Sequence, residues 1–143
     1  MKKLFASLLT LLAAATASAQ TPKYIFYFIG DGMGHGQVLS AATYKRLVQN
    51  DSLPLLMMQF PVAGMVTTYS ADTPVTDSAA AGTALATGSK TRNNMLGMNA
   101  DTVAVNSVAI DLAERGYGIG LVTNVCPDDA TPGAFYALSL IHI

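Results

Sequence analysis

The sequence predicts an α/β fold with a mainly parallel sheet, and three observations carry that expectation. Residues 24–29 (YIFYFI) form an unbroken apolar, aromatic and β-branched run closed by Gly30-Asp31-Gly32. A strand buried on both faces, as in parallel sheets, has this composition. Residues 61–69 (PVAGMVTTY) and 118–125 (GIGLVTNV) form two further runs of the same kind, and segments of helical pattern lie between them. The resulting order of strand, helix, strand, helix, helix, strand is that of an α/β chain.

After the first run, residues 37–49 place Val38, Ala41, Ala42 and Leu47 at inward helical positions. Residues 78–87 (SAAAGTALAT) predict an alanine-rich helix, and residues 103–115 a helix stopped by Gly116. The alanine-rich segment has no charge between Asp77 and Lys90. A surface helix normally pairs an apolar stripe with a charged face. This one is therefore expected to be pressed by neighbours on most sides, and Ala81→Leu is expected to disturb it.

The chain is 51% hydrophobic and 12% charged, with a net charge of -1. This balance suits a greasy core and offers neither a nucleic-acid footprint nor a polybasic membrane patch. The single cysteine, Cys126, excludes an internal disulfide framework and argues against a cysteine-based zinc site.

Residues 1–20 (MKKLFASLLTLLAAATASAQ) carry two lysines, an uncharged, mostly apolar run and then Ala17-Ser18-Ala19, the small-x-small pattern of a cleavage site. The apolar run is shorter than the ~20 residues a spanning helix needs. Residues 1–19 are therefore expected to be a bacterial signal peptide, leaving a periplasmic or secreted protein with no membrane partner. At the other end, residues 138–143 (LSLIHI) follow without a turn signal. They are expected to be a non-native read-through tail, the alternative being an ordinary apolar strand. Residues 20–137 would then be the N-terminal part of a larger domain.

Asp31 follows the first run and is surrounded by Gly30, Gly32, Gly34 and Gly36. Ligands of open α/β sheets bind beyond the carboxyl ends of the strands, and glycines allow close approach there. An Asp-Gly turn in which the carboxylate bonds its own backbone fits the same residues. A dinucleotide fingerprint fails in both registers, because His35 and Gln37 stand where the third glycine is required. Gly88-Ser89-Lys90-Thr91 lacks the glycine that precedes a P-loop lysine.

Ser78 opens the alanine-rich helix, where unpaired N–H groups and the macrodipole favour an anion. Thr76, Asp77 or Ser78 acting only as an N-cap is the alternative. A serine hydroxyl is a weak nucleophile unless a base or a metal activates it. Outside the expected tail the only histidine is His35, and no Ser-His pair is evident, so metal activation is expected.

Four stretches together resemble the alkaline phosphatases in order and spacing. They are Ile29-Gly30-Asp31-Gly32-Met33-Gly34, Val75-Thr76-Asp77-Ser78-Ala79-Ala80-Ala81-Gly82-Thr83-Ala84, Gly88-Ser89-Lys90-Thr91, and Asp129-Ala130-Thr131-Pro132 followed by Ala134-Phe135-Tyr136-Ala137. The resemblance implies a three-layer α/β/α fold with a mainly parallel central sheet, here incomplete. It implies hydrolysis of small phosphate monoesters through a phosphoserine intermediate, on a site of two zinc ions and one magnesium ion, in a parent that is often a homodimer. By the same resemblance Ser78 matches the nucleophile and metal-site serine, Asp31 the carboxylate bridging one zinc and the magnesium, and Thr131 a magnesium ligand. Asp129 matches a position beside the magnesium that is aspartate in some members and histidine in others.

The histidines and aspartates that hold both zinc ions in the family, its magnesium glutamate and its phosphate-clamping arginine lie further along than this chain reaches. Leu138 stands where the family has a histidine, and His142 matches none of the ligands. The 143-residue chain by itself is thus expected to be a non-catalytic fragment that binds no zinc stoichiometrically. A phosphodiesterase or sulfatase-like hydrolase of the same superfamily is the alternative for the parent, and Asp77-Ser78-Ala79-Ala80 favours monoesters.

Overall fold

Small side chains let two helix backbones come together at the centre of this structure, a computed structural model describing residues 21–137. The expected signal peptide and tail lie outside the described residues. The chain divides into two units, Met1–Gly30 and Asp31–Ile143. The described part of the first, residues 21–30, has no regular secondary structure and exposes Tyr24, Phe26 and Phe28.

In the second unit, α1 spans His35–Leu47, α2 Ser78–Thr87, α3 Val108–Glu114 and α4 Ala130–Tyr136, with a 3-10 turn at Leu56–Gln59. Helix α2 buries Ala79, Ala80, Gly82, Thr83 and Ala86, and α4 buries Pro132, Gly133, Ala134 and Phe135. A Cβ placed on Gly82 would stand 3.1 Å from Ala134 Cβ and 3.5 Å from Thr131 Cα. The helices meet there almost backbone to backbone, which is why α2 consists of alanine, glycine and threonine. The tight position is Gly82; Ala81, singled out from the sequence, is only half-buried.

The loop after α2 completes this core. Leu96 is fully buried, and its Cδ1 would lie 3.7 Å from a Cβ on Gly133. Buried Thr83 donates to the Met95 carbonyl (3.2 Å) and accepts from the Gly97 N–H (3.1 Å), fixing the loop to the helix. Gly88 ends α2 at φ 74°, its N–H bonded to the Ala84 carbonyl, as expected for a left-handed C-cap. Ser107 caps α3 by accepting from the Ile110 N–H and donates to the Phe135 carbonyl at 2.6 Å, tying α3 to α4.

Several expected elements differ. The helix expected over 37–49 is α1, and it begins two residues earlier. The helix expected over 103–115 begins only at Val108. The preceding residues are used by Thr102 at φ 63° and by an isolated antiparallel bridge between Met98 and Ala104. Helix α4 and the 3-10 turn were not foreseen. No strand occurs among the described residues, so the expected sheet is absent from them. A parallel strand satisfies its backbone only through neighbouring strands and is covered on both faces. Val66 and Val122, 79% and 100% exposed, have no such cover.

A polar cluster holds the approach to α2. Ser70, buried, donates to Asp72 at 2.9 Å, and the Asn93 N–H donates to the same carboxylate oxygen at 3.1 Å. The Asn93 N–H, followed by the Ser70 hydroxyl, holds the Asp72 carboxyl below its ordinary range. Because the folded value is lowered, this contribution is fully present above the unfolded value of about 3.9 and is lost as the pH falls through the folded one. Asp72→Asn is therefore expected to flatten the acid limb of an unfolding-versus-pH curve below about pH 4. An acid limb as steep as that of the wild type would contradict this role.

Candidate active site

Three of the residues singled out from the sequence come together. Asp31 occupies the turn before α1, with Gly32 at φ 68° permitting the reversal. Ser78 Oγ donates to Asp31 Oδ1 at 3.3 Å, and Thr131 Oγ1 donates to Asp31 Oδ2 at 2.6 Å. The two hydroxyls lie 47 and 100 residues along the chain from Asp31 and come from the first turns of α2 and α4. Close packing at Gly82 and Ala134 sets the separation of those two helices, and so of the two hydroxyls.

The cap of α2 is Asp77, whose carboxylate accepts from the Ala80 N–H at 2.8 Å. Ser78 is the first helical residue, half-buried, and its hydroxyl is directed to Asp31. This separates the structural role, held by Asp77, from any chemical role of Ser78. Asp129 precedes α4 as its cap residue. Its carbonyl accepts from the Gly133 N–H at 2.9 Å, while its side chain makes no capping bond. His35 starts α1 and is exposed.

All donors offered by Asp31, Ser78, Asp129 and Thr131 are oxygens. Such a set suits magnesium, which takes carboxylate and other oxygen ligands. It does not suit zinc by itself, since zinc sites draw on imidazole or thiolate. Among the described residues no group of three or more His, Cys, Asp or Glu is placed to hold a metal, and Cys126 is exposed.

Sequence reasoning missed Asn93 and Asn94. The Asn94 N–H donates to Asp77 Oδ2 at 2.6 Å, with Asn94 at φ 65°. An Asn-Asn pair is a recognisable signal, since asparagine tolerates the left-handed region and bonds nearby backbone. Lys90, which falls in a stretch that fails the P-loop pattern and carries part of the family resemblance, places its ammonium over the Tyr69 ring and donates to the Tyr69 carbonyl.

The alkaline phosphatase family model matches residues 22–140. The chain belongs to the alkaline phosphatase family. It is 35% identical to streptomycin-6-phosphate phosphatase of Streptomyces griseus over 144 aligned positions, covering 92% of this chain and 31% of that protein. Among solved structures it resembles alkaline phosphatase from the Antarctic bacterium TAB5, with TM-score 0.69, 35% identity and coverage of 78% of this chain and 31% of that one. A mutant of the TAB5 enzyme with Mg bound in its M3 site is matched at TM-score 0.65 and 32% identity, with the same coverages. The chain thus spans between about a fifth and just under a third of the length of the relatives it matches. These likenesses imply the alkaline-phosphatase-like α/β fold, of which the described residues show the helices α1 to α4 and no strand.

Proposed function

We propose that the complete protein hydrolyses phosphate monoesters through a phosphoserine on Ser78. The observation that carries this is the pair of bonds from Ser78 and Thr131 to Asp31, formed where α2 begins. Helix N–H groups and the dipole favour a phosphate in front of Ser78. The Ser78 hydroxyl gives up its proton as its oxygen attacks phosphorus, the ester P–O bond breaks, and the leaving oxygen takes up one proton in exchange. Asp31, accepting the Ser78 hydrogen bond, orients the attacking oxygen. Water then cleaves the phosphoserine, releasing phosphate and restoring the hydroxyl.

Asp31, Thr131 and Asp129 are the residues that would hold magnesium. When bound, the cation neutralises charge gathered beside the phosphoryl group. The Mg-bound TAB5 mutant and the oxygen-only donor set support this assignment. The two zinc ions implied by the family resemblance do not fit these residues alone; besides Asp31 and Ser78, their ligands would come from other parts of the complete protein. In the same proposal residues 24–29, 61–69 and 118–125 pair as strands of a parallel sheet in the complete protein, residues 1–19 direct export to the periplasm or medium, and the parent forms a homodimer. Among the described residues no helix is long and apolar enough to cross a membrane.

Monoesters are favoured over diesters and sulfates by the Asp77-Ser78-Ala79-Ala80 context, and the S. griseus relative is itself named for a phosphate monoester. A panel of chromogenic phosphate monoesters, phosphate diesters and sulfates tests this on the complete protein. A monoester preference of roughly a hundredfold or more in kcat/KM is expected. Equal or better turnover of diesters or sulfates would reassign the chemistry.

A further inference from the structure

The loop that delivers Ser78 is held by one side-chain amide 15 residues further along the sequence. Asn93 Oδ1 accepts from the Asp77 N–H at 3.2 Å, and Asn93 Nδ2 donates to the Val75 carbonyl at 3.1 Å. The carboxamide thus binds residues 75 and 77 as a neighbouring strand would, with a donor and an acceptor in one plane. Its own N–H is anchored on Asp72, and the next N–H, of Asn94, is anchored on Asp77. Asn93 is half-buried, and its bond from the Asp77 N–H is partly shielded from competing water. The two carboxamide bonds fix the backbone immediately before Ser78, the two N–H bonds hold Asn93 in place through the Asp72 and Asp77 carboxylates, and none touches Ser78 itself.

We propose that Asn93 is a positioning residue for phosphoryl transfer, holding residues 75–77 so that the Ser78 oxygen stands in attacking register. The proposal rests on Ser78 being the nucleophile. Of the polar side chains, only a carboxamide the length of asparagine supplies both bonds at this span. Serine is too short to reach both residues and alanine offers neither bond. A small displacement of a nucleophile costs far more in rate than in stability, about a hundredfold for roughly 1 Å.

The test is single-turnover kinetics on the complete protein with 4-nitrophenyl phosphate, comparing wild type, Asn93→Ala and Asn93→Ser. Acid quench measures both the rate constant for phosphoserine formation and its final amplitude. The rate constant is expected to fall about ten- to a hundredfold in both variants, with the amplitude per mole of metal-loaded enzyme retained. Asn93→Ser serves where the alanine variant does not fold. A merely structural asparagine would lower the amplitude and leave the rate constant unchanged, and that result overturns the proposal. Failure of the wild type to form phosphoserine on Ser78 would instead overturn the assigned chemistry, and the positioning role with it.

Discussion

Ser78→Ala in the complete protein is expected to lower kcat for phosphate monoesters by roughly 10³-fold or more while the fold stays in place. The separation of roles at the start of α2 is what makes this a clean experiment. Asp77, not Ser78, accepts the Ala80 N–H and caps the helix, so the cap survives the substitution. Alanine is the best helix former and costs nothing at the first helical position. What is lost structurally is one hydrogen bond, the 3.3 Å contact with Asp31, worth about 0.5–1.5 kcal/mol. Thermal melting should shift by only a few degrees for a loss of that size. Steady-state kinetics and a melting curve on the same preparation check both halves. A variant that keeps a tenth or more of the wild-type kcat would remove Ser78 from the chemistry.

Gly82→Leu is expected to destabilise the protein by about 1–3 kcal/mol and to depress activity as well. The first added atom, Cβ, would already lie 3.1 Å from Ala134 Cβ, and three more carbons follow it into the contact between α2 and α4. Helix propensity opposes this effect by at most about 1 kcal/mol, the usual gain on replacing a helical glycine. The contact can relax only by α4 moving away, and α4 carries Thr131. Asp31 then loses one of the two hydroxyls that it joins. Gly82→Ala is the milder companion, because the neighbour need yield only a few tenths of an ångström. Denaturant midpoints and kcat for the two variants give the ranking. Wild-type stability in Gly82→Leu would show that the helices do not meet at this position.

Part of the candidate site was legible from local chemistry: Asp31 stands among glycines and Ser78 follows a capping aspartate, whereas Thr131 was singled out only through the family resemblance. Sequence alone could not show that one carboxylate would accept from both hydroxyls, since the partners are 47 and 100 residues away. The uncharged helix was read correctly as one pressed by neighbours, but the tight position is Gly82 and not Ala81. Glycine in a helix registers locally as a weakness, and its value appears only when Ala134 is seen against it.

The strands illustrate the opposite case. Residues 24–29, 61–69 and 118–125 have the composition of buried strands, yet none forms a ladder among the described residues. Composition reports the environment a segment needs, and a sheet also requires partners supplied by other parts of a chain. Helices α2 and α4 satisfy their own backbones and need only each other's small faces, so they form within residues 31–137. Asn93 escaped notice for a related reason. Its importance lies in two bonds to residues 75 and 77, and an asparagine after an arginine carries no mark of that.

The central claim is that Ser78 itself carries the phosphoryl group, and peptide mapping tests it most directly. The complete protein, mixed with a phosphate monoester and quenched in acid during turnover, is digested and the phosphopeptides are sequenced by mass spectrometry. Phosphate is expected on Ser78, in the peptide containing Thr76-Asp77-Ser78-Ala79, and on no other hydroxyl. Phosphate on Ser70, Ser89 or Thr131 in place of Ser78, or full turnover with no phosphopeptide trapped, would contradict it.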